Sequence, residues 1–308
     1  MNYTLHQLQI FLKITELKSI TKASEFLNLT QPAVSIQLKN FQDQFSYALT
    51  EVVGRQLYVT DFGTEIANAA EKILNETDAI NNKTLAYEGK LFGRLKLSIV
   101  STGKYVMPYF LSDFMKLHEG IDLIMDVTNK SKVIESLEMN KVDFALVSVL
   151  PQKLNIEKIE LMENKLFLVA NSALDIKKEL KKSSTIFERI PLIYREKGSA
   201  TREAMENFIT NREFTIRKKI ELTSNEAVKQ AVLAGLGISI MPLIGIRNEL
   251  KNNDLQIIPI KGLPLKTSWN LIWLKSKKMT PSACALMDLI NAKKENIINQ
   301  NFEWAKKF

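Results

Sequence analysis

The chain has 308 residues, 45% of them hydrophobic and 25% charged, and its 42 Lys and Arg against 34 Asp and Glu give a net charge of +8. That length predicts about two domains, each able to bury its own core. The single cysteine, Cys284, excludes an intramolecular disulfide and a cysteine-based zinc cluster, and its place on an apolar helix predicts a small core residue.

The N-terminal Met-Asn-Tyr-Thr-Leu-His has no basic region leading into an apolar run, and no window of about 18 uninterrupted apolar residues occurs. A cytoplasmic protein without membrane contact is therefore expected. The positive charge points to an anionic partner, nucleic acid first among them. A solvated lysine-rich surface would produce the same excess. Through Thr60, Lys13, Lys18, Lys22, Lys39 and Arg55 are nearly balanced by Glu16, Glu25, Asp43 and Glu51.

The first 60 residues read as short helices followed by a hairpin. Leu5, Leu8, Phe11, Leu12 and Thr15 have helical spacing. Ser19 caps a second helix with Ile20, Ala23, Phe26 and Leu27 expected on its inner face. After the tight turn Asn28-Leu29-Thr30, a third helix opens with Thr30 as cap and Pro32 in its first turn, where a missing N–H is harmless. Val34, Leu38, Phe41 and Phe45 form its apolar stripe, leaving Gln31, Ser35, Ile36, Lys39 and Asn40 on the other face. Arg55–Thr60 reads as the return strand of a small wing. Thr60 then caps a long helix reaching about Tyr87, in which Phe62, Ile66, Ala69, Ile73, Thr77, Ile80 and Thr84 make a heptad-like seam. A small domain offers no core for such a stripe, so the helix is expected to dimerise.

Gly89-Lys90-Leu91-Phe92-Gly93 reads as a hinge. Strands and helices then alternate: strand Leu97–Val100, helix Lys104–His118, strand Ile121–Thr128, helix Lys132–Asn140 and strand Phe144–Val149. A second set holds strands Lys165–Asn171, Pro191–Tyr194, Phe214–Leu222, Gly237–Met241 and Leu255–Ile260, with helices Ser199–Thr210 and Ser224–Ala234. Strand Ser268–Leu274 and a helix from Pro281 are expected to return to the first set. This alternation predicts an α/β region of parallel sheets covered by helices on both faces.

Leu5-His6-Gln7-Leu8-Gln9-Ile10-Phe11, Ser19–Leu27, Thr30–Lys39 and the later Leu57-Tyr58-Val59-Thr60-Asp61-Phe62-Gly63 resemble the LysR-type transcriptional regulators. Val228–Ile238 is similar to that family's effector-domain signature, so the resemblance spans the chain. It implies an N-terminal winged helix-turn-helix DNA-binding domain at 1–60, a linker helix for dimerisation at 61–88 and an effector-binding domain at 89–308. That last domain is expected to resemble periplasmic binding proteins, with lobe I about 92–162 and 267–308 and lobe II about 163–266. Expected partners are double-stranded DNA, one or three further copies (homo-dimer or homo-tetramer) and a small-molecule effector; no cofactor and no metal is called for. Three positions depart from the family: Ile36 follows the serine where a basic or polar residue is usual, Ser46 replaces a glycine, and Thr50-Glu51-Val52 replaces an arginine.

In a helix-turn-helix, the second helix of the pair offers its N-terminal residues to base edges in the major groove. Gln31 can pair bidentately with adenine, and Ser35 can serve several bases. Thr30 and the free N–H groups at the helix start suit a phosphate; Lys39 and Arg55 would neutralise backbone charge, and Pro32 joins the candidate set. Gln37 completes the candidate DNA-binding set. The bland alternative is a set of surface polar residues.

Candidate effector contacts sit where strands run into helices, the usual ligand position in open α/β sheets. They are Ser101, Thr102, Gly103 and Lys104 at one turn, Thr128 and Ser148 after two strands, and Ser199, Thr201 and Arg202 at another turn. Hydroxyls and helix-start N–H groups beside cations describe an anion pocket, although ordinary capping would use the same residues. Thr102–Pro108 and the Gly-Ser-Ala-Thr-Arg turn resemble the subgroup regulating carbon-fixation (RuBisCO) operons, which implies a phosphorylated metabolite or nicotinamide nucleotide as effector.

An enzyme or a solute-binding protein built on the α/β region are the competing readings. His6 and His118 join no catalytic or metal constellation, and there is no Gly-x-Gly-x-x-Gly or Walker loop. No enzymatic activity is expected.

Overall fold

The computed structural model describes residues 2–54, 56–86, 91–178 and 186–308, in two compact units, Met1–Lys90 and Leu91–Phe308. Arg55, Tyr87, Gly89 and Lys90, each named in the sequence reading, lie outside the described residues.

In the first unit, helices α1 (Leu5–Leu17), α2 (Ile20–Leu27) and α3 (Gln31–Gln42) precede the hairpin β1 (Thr50–Val53) and β2 (Gln56–Val59), and then helix α4 (Asp61–Ala86). Each start is set by a capping hydroxyl. Thr4 and Gln7 form a reciprocal capping box, and Ser19, Thr30 and Thr60 accept from Lys22, Ala33 and Gly63 N–H groups. Asn28 ends α2 in a left-handed conformation with φ 53°, which asparagine tolerates and which folds the chain back toward α3.

Leu8, Ile10, Phe11, Ile14, Ala23, Val34, Leu38, Phe41 and Leu49 form the core of this unit. A run of edge-on rings ties its parts together: Tyr3 to Phe41 at 5.7 Å, Phe41 to Phe45 at 5.1 Å, and Phe45 to Phe62 at 6.0 Å. Such pairs add about 0.5–1.5 kcal/mol each beyond the area they bury. Phe26, expected on the inner face of α2, is instead 62% exposed, with the Lys13 ammonium 3.9 Å from its ring centroid. Helix α2 has only eight residues, and its buried positions are Ala23 and Ser24; a bulky ring does not fit where two helices approach this closely.

The N-terminal part of α4 belongs to the same core. Phe62, Ile66, Ala67, Ala70 and Leu74 pack inward, so the upper part of the expected seam is covered within the unit. Ile73 is left 40% exposed. Gly63 is required here, since a Cβ would come within 2.0 Å of the Leu49 carbonyl oxygen.

The second unit is built on a seven-stranded sheet. Strands β3 (Phe92–Val100), β4 (Gly120–Thr128) and β5 (Phe144–Val147) pair in parallel, with helices α5 (Met107–Leu117) and α6 (Lys130–Glu138) between them. Strand β6 (Ile156–Asn171) has 16 residues, and β11 (Leu265–Leu274) runs antiparallel along it from Leu166 to Ile156. These two long strands pass through both lobes. On the second lobe, β9 (Ser239–Pro242) and β10 (Leu255–Ile257) pair antiparallel with β6, while β7 (Leu192–Arg195) and β8 (Lys219–Leu222) form a parallel pair. Helices α7 (Ala200–Asn211), α8 (Asn225–Leu233) and α9 (Arg247–Lys251) belong to this lobe, and α10 (Pro281–Phe302) returns to the first.

The sheet is therefore mixed, not wholly parallel. Alternation of strand and helix along the chain hides two strands long enough to cross between lobes. Strand β3 begins at Phe92, five residues before the expected start, and takes up Phe92 and Gly93 of the expected hinge. Phe144, Leu146, Phe110, Trp269 and Leu286 centre the first lobe's core. Leu168, Phe187, Leu192 and Ile240, with Val169, Ile193 and Val232 on the other sheet face, centre the second. Cys284, expected in the core, is exposed: on α10 its neighbours Ser282 and Ala283 face inward and it faces out.

Candidate functional site

Helix α3 carries the candidate DNA contacts. Thr30 caps it through a 3.4 Å bond from the Ala33 N–H. Val34, Leu38 and Phe41 hold it against the core. Spacing by 3.6 residues then leaves Gln31, Pro32, Ile36, Lys39 and Asn40 exposed and Ser35 and Gln37 half-buried on one outward surface. Lys39 has no ion-pair partner among the described residues. Lys13, by contrast, is tied to Glu16 at 2.5 Å. Arg55, the expected cation of the wing, is outside the described residues.

In the second unit, the turn after β3 and the turn after β7 face each other across the two lobes. Residues Ser101–Tyr105 form a tight 3₁₀ turn, in which Gly103 is buried against Leu146 and Ile99. The Ser101 hydroxyl accepts from Arg195 Nη1 at 3.0 Å and from Asn225 Nδ2 at 2.7 Å, both from the opposite lobe. Arg195 is only 4% exposed and holds the Glu196 carboxylate in two bonds of 2.8 Å. Burying such a cation is tolerable only with this pairing.

Three further contacts join the lobes. Lys130 meets Glu203 at 2.8 Å, the Ser131 N–H donates to the Gly198 carbonyl at 3.3 Å, and the Tyr105 hydroxyl donates to Glu226 at 3.2 Å. Burial, opposed by the Lys229 ammonium, pushes the Tyr105 phenol above its ordinary range. Gly198 has φ +85°, and a Cβ there would lie 2.7 Å from the Ser131 hydroxyl, so glycine is needed for this approach.

Beside these contacts lies a cavity of about 760 Å³ whose walls include Lys130, Ser131 and Lys153 from one lobe and Gly198, Ser199, Arg202 and Glu203 from the other. Ser199 is 5% exposed and stands at the N-cap of α7 without making a side-chain cap bond. The N–H groups of the first turn of α7 thus lack the side-chain acceptor that usually serves them. Thr102, also 5% exposed, makes no side-chain hydrogen bond among the described residues, nor do the half-buried Thr128, Ser148 and Thr201.

Two expected cations are placed differently. Lys104 is exposed, stands 5.1 Å from the Tyr105 ring centroid and faces a separate cavity of about 340 Å³ shared with Arg247 and Trp304. Its long side chain, lying beside the Tyr105 ring, carries the ammonium to that cavity. Arg202 is spoken for: it reaches Glu206 at 2.8 Å, Glu221 at 2.6 Å and the Arg195 carbonyl at 2.9 Å. The Glu221 hydrogen bond, opposed by partial burial and aided by Glu206, raises its guanidinium pKa further.

Arg195 and Asn225 were not among the expected contacts. The signal was present in Leu-Ile-Tyr-Arg-Glu-Lys-Gly-Ser, a cation ending an apolar strand just before a glycine turn. Among the described residues no His/Cys/Asp/Glu group could hold a metal, and no helix is long and apolar enough to cross a membrane.

The description "Bacterial regulatory helix-turn-helix protein, lysR family" matches residues 5–64, and "LysR substrate binding domain" matches residues 88–294. The chain belongs to the LysR family. It is a helix-turn-helix transcriptional regulator with an effector-binding domain. It is 35% identical over 296 residues to the HTH-type transcriptional activator CmpR of Synechocystis sp., covering 96% of this chain and 97% of that one. It is 33% identical to a RuBisCO operon transcriptional regulator of Allochromatium vinosum, covering 94% and 96%. These relatives are named as regulators, which sets aside the enzyme reading.

Among solved structures, the regulatory domain of Synechocystis CcmR in complex with 2-PG matches with a TM-score of 0.61 and 30% identity, covering 66% of this chain and 98% of that one. Full-length CbnR complexed with its target DNA matches in fold with a TM-score of 0.67 and 18% identity, covering 94% and 99%.

Proposed function

We propose that this LysR-family regulator reads operator DNA with α3 and is switched by a small phosphorylated anion held between the lobes of its second unit. The single observation that carries the effector reading is the convergence of Arg195 Nη1 and Asn225 Nδ2 on the Ser101 hydroxyl. An anion oxygen entering there would take over both donors, one of them charge-assisted. The hydroxyls of Thr102 and Ser199 and the N–H groups starting α7 are further donors without side-chain partners. Thr128, Ser148 and Thr201 complete the proposed set; Gly103 lets the turn pack closely, and Lys104 and Arg202 are assigned no direct contact. The 2-PG named with the CcmR domain is a ligand of this chemistry.

On DNA, Gln31 and Ser35 are the proposed base contacts, while Thr30, Pro32, Gln37, Lys39 and Arg55 are proposed to position the phosphate backbone. The exposed side of α4 around Ile73 is the proposed dimer seam, with a cytoplasmic site of action. An anion gripping both lobes would favour a closed arrangement, by as much as it binds that arrangement better.

The test is fluorescence-anisotropy binding of the full chain to operator DNA found by genome-wide footprinting, with 2-PG titrated in. The expected result is a saturable change in operator affinity or footprint length. No change with 2-PG, sugar phosphates or nicotinamide nucleotides would overturn the effector reading.

A further inference from the structure

The cavity of about 340 Å³ at Lys104 is separate from the cleft at Ser101, and its walls share no residue with the cavity that Lys130 and Arg202 line. Lobe I contributes Lys104 and Tyr105, lobe II contributes Lys229 and Arg247, and the C-terminal segment adds Trp304. A Cβ on Gly245 would lie 3.2 Å from the Tyr105 ring, so the Leu243–Gly245 turn of the second lobe closes directly on the first.

Charge around this cavity is unevenly matched. The Lys229 ammonium, on a residue 9% exposed, pairs with Glu249 at 2.8 Å and with Glu226 at 3.2 Å, and the Tyr105 hydroxyl also donates to Glu226. Lys104 and Arg247 have no carboxylate partner among the described residues. Each lies against a ring instead: Lys104 Nζ is 5.1 Å from the Tyr105 centroid, and the Arg247 guanidinium is 5.0 Å from that of Trp304. A cation held by a ring still has N–H donors to give an anion. Lys104, Lys229 and Arg247 thus outnumber Glu226 and Glu249 by one charge, which a single carboxylate would balance.

The uncharged part of the wall is largely aromatic. Tyr105, Tyr109, Phe302 and Trp304 all line it, with Tyr109 and Phe302 packed edge to face at 5.2 Å. Offset and edge-on ring contacts favour a flat aromatic guest. An apolar cavity of about 150 Å³ accommodates benzene, so this volume takes two fused rings or one ring with a short arm.

We propose that this cavity is a second effector site, distinct from the cleft at Ser101, for an aromatic monocarboxylate. The carboxylate sits between Lys104 of one lobe and Arg247 of the other, and the ring packs among Tyr105, Tyr109 and Trp304. Such a ligand ties both lobes to the C-terminal segment, and it favours the lobe arrangement in which those two cations face one cavity.

The experiment is calorimetry of the full chain at neutral pH with 2-naphthoate, against 2-naphthalenemethanol, which lacks the charge, and acetate, which lacks the ring. 2-Naphthoate is expected to bind one per chain and about tenfold tighter than either control, since only it meets both the cations and the rings. Lys104→Gln and Arg247→Gln, both at exposed positions, are each expected to weaken 2-naphthoate about fivefold and to leave 2-naphthalenemethanol unchanged. Trp304→Leu is expected to weaken both ring-bearing probes. Saturating 2-PG is expected to leave the stoichiometry at one naphthoate per chain, and the titration without 2-PG reads this site whether or not the cleft binds a phosphorylated anion. Absence of saturable binding, equal affinity for 2-naphthoate and either control, affinity undiminished in both Lys104→Gln and Arg247→Gln, or displacement by 2-PG would each overturn the assignment.

Discussion

The Arg195 guanidinium reaches across the lobes to the Ser101 hydroxyl through Nη1 at 3.0 Å while its Nε and Nη2 hold the Glu196 carboxylate. The cation is thus buried, neutralised locally and still aimed at the opposite lobe. Its Nη1 is the one donor of the guanidinium that crosses between the lobes.

Arg195→Lys keeps the charge but loses the planar fork. The variant is expected to fold and to bind a phosphorylated ligand at least tenfold more weakly, as checked by titration calorimetry. Removing the charge with Arg195→Met is expected to lower thermal stability as well, because the half-buried Glu196 would lose its partner and the buried guanidinium bonds would be lost.

On DNA, Gln31→Ala is expected to lose about 1–3 kcal/mol of discrimination between operator and random sequence, the worth of a bidentate base contact. Lys39→Ala is expected to weaken both DNAs alike and to flatten the dependence of binding on salt. Competition binding at two salt concentrations separates the two patterns. Equal losses on both DNAs for Gln31→Ala would place that side chain on the backbone.

How far the fold can be read from the sequence depends on where the physical signal is local. Capping residues Ser19, Thr30 and Thr60 announced their helices because a cap needs only its own turn. The turns at Ser101 and Ser199 were legible because each follows the end of a short apolar strand, although neither serine caps through its side chain. Phe26 and Cys284 misled because composition does not say which side of a short or long helix faces a neighbour. Lys104 stands beside Tyr105 at a separate cavity, and a long side chain at a turn leaves no local mark of which pocket it faces. Strands β6 and β11 cross both lobes, and pairing over that sequence distance leaves no local mark. A charged residue ending a strand usually marks the exit to solvent, so Arg195 carries no local sign of its burial.

At the junction of wing and linker, Gly63→Ala would drive a methyl group into the Leu49 carbonyl, 2.0 Å away. The backbone of α4 or of the Leu49 segment must shift. A loss of about 2 kcal/mol or more is expected, in the range for overpacking a close contact. Thermal unfolding of the full chain, followed by a probe in the first unit, checks it.

Ile73 is 40% exposed on a 26-residue helix whose N-terminal part packs on its own unit at Phe62, Ile66 and Ala70. Ile73→Lys would place an unpaired charge in the proposed dimer seam. Sedimentation of the full chain is expected to show weaker self-association for the variant. An unchanged distribution would move the dimer contact elsewhere.

A small anion is proposed to sit between Ser101 on one lobe and Arg195 on the other. The most direct test is titration calorimetry of the full chain against 2-PG, sugar phosphates, nicotinamide nucleotides and uncharged metabolites of similar size. A phosphorylated compound is expected to bind preferentially, with its affinity reduced at least tenfold in both Thr102→Val and Arg195→Lys. Preferential binding of an uncharged compound, undiminished in those two variants, would contradict the account.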